Sequence, residues 1–170
     1  MSSTTFSGPV TSTNGFVGAV TGNVTGNVTG NVTGNVVGKI TGAQAATVVT
    51  ATKSVSATES GTIFFLNSAT EFVSTLPAPA LGLVYEFIVT AAPSGASYTI
   101  VTNGSANIIK GQQYPASGAA GDTGTADDTI TFVDGQAVAG DRVVLRSDGT
   151  SWFAYAYSAV AAGVTFTQAS

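Results

Sequence analysis

The sequence predicts an all-β protein in two parts: a fibrous N-terminal arm and, after it, an antiparallel β-sandwich of jelly-roll type. Three observations lead there. A strict four-residue repeat runs through residues 16–43. Short apolar runs rich in Val, Ile, Phe, Tyr and Thr, separated by Gly, Pro, Asn and Asp, fill residues 59–170. No stretch anywhere keeps an apolar stripe at helical spacing over a useful length.

The repeat reads FVGA, VTGN four times over, VVGK and ITGA, framed by Phe16 and Ala43. It places an apolar residue at Phe16, Val20, Val24, Val28, Val32, Val36 and Ile40, and a glycine two positions after each. A period of four drifts around an α-helix by about 40° per tetrad, so no apolar stripe would persist. A glycine per tetrad would also cost a helix about 1 kcal/mol each. Collagen needs glycine at every third position. A β-type backbone remains, in one of two forms. In an extended strand, Val and Gly share one face and Thr and Asn the other. With a bend at each Gly-Asn, the chain turns a corner every four residues, Val inward and Asn outward. One valine per tetrad buries too little area to offset about 1–2 kcal/mol of backbone entropy per residue. Other copies of the chain must supply the core, which predicts an intertwined arm of several identical chains rather than a flexible linker.

Residues 1–15 are rich in Ser and Thr, with turn signals at Gly8-Pro9 and Asn14-Gly15. Phe6, Pro9 and Val10 are their only sizeable apolar groups, so this segment is expected to order only against a partner surface. Residues 44–58 show no clear period and read as a connector, with a short strand at 47–51. Strands then follow at 62–66, 71–76 and 83–90. In the last of these, Leu83, Tyr85, Phe87 and Val89 share a face. Leu76-Pro77-Ala78-Pro79 cannot lie in a central strand. Further strands are predicted at 97–102, 107–110, 129–133, 141–146, 151–157 and 163–167, and residues 111–127 read as a long loop. Ser147-Asp148-Gly149-Thr150 marks a hairpin.

Composition narrows the function. Charged residues make up only 8% of the chain, against about 25% in ordinary soluble domains. No apolar run approaches the roughly 18 residues that would cross a membrane. Low charge without a span suggests surface buried between subunits. Five Lys and Arg at a net charge of −4 cannot lay a phosphate-binding stripe, which argues against nucleic acid. MSSTTFSGPV has neither a basic n-region nor an apolar h-region, so a secretory signal is not expected. The N-V-T triplets at Asn23, Asn27 and Asn31 are then by-products of the repeat.

Catalysis has little to draw on. With no histidine and no cysteine, the commonest general base, metal ligand and thiol nucleophile are missing. No serine sits in a recognisable nucleophile motif, and no cofactor is expected. Asp122, Asp127, Asp128 and Asp134 do not follow EF-hand spacing; they are read as solvated loop acids, with a weak calcium site as the alternative. Asp141-Arg142 and Arg146-Ser147-Asp148 read as rim charge pairs of small value. Strand alternation puts Trp152 on one face and Phe153, Tyr155 and Tyr157 on the other. Core or interface is the expected role of these aromatics, and a sugar-binding platform the alternative.

Taken together, FSGPV, the GNVTGNVTGNVTGN run and the segment LPAPALGLVYEFIVTAAPSGASYTIVT, with ANIIKG, GDRVVLRSDGTSWF and GVTFT behind it, resemble small structural proteins of tailed bacteriophages. The nearest in character are those of marine and cyanobacterial phages. The resemblance covers most of the chain and implies a homotrimeric capsid decoration, or cement, protein on the outer surface of the head. Phe6, Gly8, Pro9 and Val10 would then contact the major capsid protein. The repeat's apolar positions would form the trimer core, and residues 59–170 would stand out as a knob. Neither an enzyme, a nucleic-acid binder nor a membrane protein is implied. A short tail fibre or spike that binds a host-surface glycan is the alternative.

Overall fold

The computed structural model describes residues 44–68 and 70–168. The residues expected to contact a capsid and the valine stripe expected to form a trimer core lie outside these. The compact unit that holds the sheets begins at Thr41.

Among the described residues, twelve strands form two sheets. They are β1 (Ala46–Val49), β2 (Lys53–Ser54), β3 (Ile63–Leu66), β4 (Phe72–Thr75), β5 (Leu81–Val89), β6 (Tyr98–Val101), β7 (Ile109–Pro115), β8 (Thr123–Asp127), β9 (Thr129–Phe132), β10 (Arg142–Asp148), β11 (Trp152–Ser158) and β12 (Val164–Thr167). The larger sheet runs β1-β3-β5-β10-β11-β7-β8 and the smaller β12-β9-β6-β4-β2. Among the described residues the only helical pieces are three 3-10 turns of three residues each. The all-β class therefore holds.

The wholly antiparallel, jelly-roll arrangement does not. From β1 to β6 the chain alternates between the sheets, odd-numbered strands in the larger and even-numbered in the smaller. Each returning strand lies parallel to its predecessor: β1 with β3, β3 with β5, β2 with β4, β4 with β6. The result is three turns of a β-coil. Parallel neighbours need a crossover, and here the crossover is a strand of the opposite sheet. After β6 the pattern changes. β9 joins β6 and β10 joins β5 in antiparallel register, β11 turns back on β10, and β7 lies parallel to β11. Residues 44–58, read as a connector, carry β1 and β2, which form one edge of each sheet.

The inner faces of both sheets meet in a single apolar core. Period-two alternation builds it: Leu83, Tyr85, Phe87 and Val89 point inward from β5, and Trp152, Ala154 and Ala156 from β11. Phe64 stacks on Phe87 with ring centroids 4.9 Å apart, and Phe72 on Tyr98 at 4.5 Å. Buried tyrosines find acceptors for their hydroxyls: Tyr85 donates to the Ser56 carbonyl and Tyr98 to those of Ser68 and Ala91.

Residues 111–127 are not a loop but hold most of the β7–β8 hairpin. Gly118 bends the turn at φ +73°, while the strand glycines make room. Gly111 faces Gly124 across the two strands, and the Phe166 ring of β12 lies against both. A Cβ on Gly111 would come within 2.7 Å of Phe166 Cε1. The inward Gln113 replaces an apolar core residue and is fully used. Its amide donates to Ser158 Oγ and the carbonyls of Val160 and Ala161, while its oxygen accepts the Asp122 N–H. At the β10–β11 hairpin, Gly149 sits at φ +96°, the left-handed turn position that glycine favours.

Of the four loop acids, Asp122, Asp128 and Asp134 are anchors rather than solvated groups. Asp122 accepts the backbone N–H of Thr123 and of Phe166, and Asp134 accepts that of Gly95. Buried Asp128 accepts the Thr129 hydroxyl. Asp141 is buried, not at a rim, and its two oxygens take the N–H groups of Val138 and Ala159. Exposed Asp148 closes its hairpin by accepting the N–H groups of Ser151 and Thr150 and the Thr150 hydroxyl, which hold its carboxyl below the usual range.

Glu59 ties β2 to the following turn. Its carboxylate meets Lys53 Nζ at 2.8 Å and accepts the Ser56 N–H at 2.9 Å. Partial burial opposes its charge, but the Lys53 ammonium and the Ser56 donors outweigh it, and the pKa falls below its ordinary 4.5. A carboxyl lowered in the folded state stabilises the fold above its unfolded pKa and loses that contribution as pH falls through the folded value. The pair is partly exposed, so its worth is about 1 kcal/mol or less. Glu59→Gln should therefore lower the melting temperature slightly at pH 7 and leave it unchanged at pH 3, measured by circular dichroism.

Candidate binding face

Outward side chains of the larger sheet form a grid fixed by strand register. On β11 the outward column is Phe153, Tyr155 and Tyr157, as alternation predicted, with Trp152 wholly buried on the other side. Pairing with β10 and β7 sets each aromatic between two outward neighbours. Phe153 lies between Arg146 and Lys110, Tyr155 between Val144 and Gln112, and Tyr157 between Arg142 and Tyr114.

These neighbours interact in different ways. Tyr157 stacks on Tyr114 at 5.6 Å, and the Arg142 guanidinium sits 4.9 Å from the Tyr157 ring centre. Lys110 Nζ lies 5.9 Å from the Phe153 ring. Both cation distances fall in the range where the ring quadrupole attracts a positive charge. The Tyr114 hydroxyl donates to Gln112 Oε1 at 2.7 Å. Arg142 pairs at 3.8 Å with Glu86 of β5 rather than with its sequence neighbour Asp141. Arg146 does not pair with Asp148, whose carboxylate is engaged in its own turn.

Tyr155 stands apart. It is 39% exposed, and among the described residues its ring meets no other ring or cation and its hydroxyl no hydrogen-bond partner. Shallow grooves flank it on both sides. One, of about 250 Å³, is bounded by Lys110, Gln112 and Phe153; the other, of about 230 Å³, by Val144, Arg146 and Tyr157.

The same face continues over β5, β3 and β1 with Val84, Ile88, Ile63, Phe65 and Val48, where register aligns Val48, Phe65 and Ile88 with Arg142. Val48, on the sheet edge, is 57% exposed. Apart from Glu86 this half is apolar, and the β10-β11-β7 half is aromatic and cationic. Sequence reasoning found the β11 column but missed Lys110, Gln112 and Tyr114. With Gly111 and Gln113 as the inward residues, hydropathy does not alternate along β7. Among the described residues no group of three or more His, Cys, Asp or Glu could hold a metal ion. No helix among them is long and apolar enough to cross a membrane.

Compared with known proteins, the chain matches no family model, no curated protein and no solved structure.

Proposed function

We propose that this is a non-enzymatic virion surface protein, a homotrimeric capsid decoration protein that binds the head shell through its N-terminal segment. The observation that carries the reading is the division of the chain. A valine-phased tetrad repeat that cannot close its own core precedes a β unit, beginning at Thr41, whose core is already closed. A repeat of that kind calls for identical partners, while the self-sufficient unit is free to stand outside. Residues 1–15, with Phe6, Gly8, Pro9 and Val10, are the part that orders on the major capsid protein. The apolar outward half of the larger sheet, Val48, Phe65 and Ile88 among it, offers a surface for contact between copies. The test is co-sedimentation with capsids stripped of the protein, comparing the full chain with one lacking residues 1–15.

A second reading, a short tail fibre or spike that binds a host-surface glycan, is favoured by one feature. Tyr155 presents a ring with no partner between two open grooves.

A further inference from the structure

We infer that the outward face of β10, β11 and β7 binds an acidic polysaccharide, with Tyr155 as the stacking platform and Arg146 and Lys110 as the anion contacts. The inference deepens the glycan-binding reading. It holds for a domain on the head or on the tail, so it stands or falls apart from capsid attachment.

Charge is the first support. The chain carries five Lys and Arg and a net charge of −4. Three of those five, Lys110, Arg142 and Arg146, project from this one face, and two carboxylates lie near them: Glu86 beside Arg142, and Asp148, which feels the charge of Lys110 but is engaged in its own turn. Of the other two, Lys53 is paired with Glu59 and Lys39 lies outside the described residues. Arg146 has no salt bridge or ring contact among the described residues, and Lys110 has no salt bridge, only the Phe153 ring and the more distant charge of Asp148. Leaving two cations without a salt bridge on an acidic protein, on the same side of the same sheet, favours an anionic ligand there and repels it elsewhere.

Shape and chemistry narrow the anion. The weakly positive C–H groups on the flat side of a pyranose ring complement the negative face of an aromatic ring. Tyr155 offers such a face, with a groove on each side to take the neighbouring units of a chain. Arg146 borders one groove and Lys110 the other, so a chain crossing Tyr155 would meet one cation on each side. The Tyr155 hydroxyl and the Gln112 amide N–H₂ are without partners among the described residues and suit sugar hydroxyls. Single-stranded nucleic acid also stacks on aromatics, but it carries a phosphate at every unit and needs a continuous cationic track. Three cations over three strands suit a polymer with sparser charge.

The test uses the full-length protein and four polymers: polygalacturonate, dextran sulfate, neutral dextran and poly(dT). Binding is followed by affinity electrophoresis and titration calorimetry. The protein should bind one or both acidic polysaccharides and not dextran; which one tells carboxylate from sulfate. Tyr155→Ala should weaken binding at least tenfold with an unchanged melting temperature and oligomeric state, and Tyr155→Phe should keep most of it. Lys110→Gln with Arg146→Gln should weaken it at least tenfold and reduce the slope of log Kd against log salt by about two. Binding to neither polyanion, tighter binding to poly(dT), or binding indifferent to both sets of changes would overturn the inference. So would a change of oligomeric state in Tyr155→Ala, which would make this face a contact between copies.

Discussion

Replacing Phe87 with alanine should destabilise the β unit by about 3–5 kcal/mol, the range for a large aromatic removed from a closed core. Phe87 is fully buried, stacks on Phe64, and stands in register with Phe64 on β3 and Val143 on β10. It therefore sits at the seam between the parallel coil and the antiparallel strands. A cavity there removes contacts from both halves at once, and neither can slide to fill it because both are pinned by their ladders. A domain of this size holds about 5–15 kcal/mol in all, so the variant should be close to half unfolded in mild denaturant. Tyr155→Ala, on the opposite face of the same sheet, should change stability by no more than about 0.5 kcal/mol. Urea titration followed by tryptophan fluorescence reads both, since Trp152 is buried beside Tyr85, ring centroids 5.6 Å apart. Equal losses would mean that the inward and outward faces are wrongly assigned.

The second large effect lies in the repeat. Changing Val24, Val28 and Val32 together to asparagine should convert the proposed trimer into smaller species. A valine buried in the proposed core would contribute about 1.5–3 kcal/mol, and each change is repeated in every copy. Changing Asn23, Asn27 and Asn31 to serine should leave the trimer intact, because these positions face outward in the bent form of the repeat and away from the valines in the extended form. Light scattering coupled to size exclusion distinguishes the outcomes. A wild-type protein that remains monomeric at micromolar concentration would remove the basis for the intertwined arm.

How much was legible in the sequence follows from where hydropathy alternates. β5 announces itself because Leu83, Tyr85, Phe87 and Val89 interleave with less buried residues, and β11 because Trp152 and the two alanines face the core while Phe153, Tyr155 and Tyr157 do not. β7 was half hidden. Its inward residues are Ile109, Gly111 and Gln113, and only the first looks like core. Gly111 and Gly124 are small because Phe166 occupies their space, a demand made by a strand more than forty residues away. β2, with two residues, is too short to show any period.

Strand direction was illegible for a different reason. A short turn between two apolar runs reads as a hairpin, but the same length of chain can carry the second run into the facing sheet, as it does from β1 to β6. The paired charges failed similarly. Asp141 and Arg142 are adjacent, so β alternation sends them to opposite faces: the acid inward to two backbone N–H groups, the guanidinium outward to Tyr157 and Glu86. The candidate binding face is a property of three strands, of which β7 is separated from β10 and β11 in the chain. Only the β11 column could be seen without knowing which strands lie beside it.

The measurement that bears most directly on capsid decoration is co-sedimentation with heads stripped of the protein. The full chain should pellet with them to saturation, and the chain lacking residues 1–15 should stay in the supernatant while remaining a folded trimer by size exclusion and circular dichroism. Equal binding by the two would place attachment elsewhere in the chain, and a full-length protein that never pellets with heads would contradict the decoration reading itself.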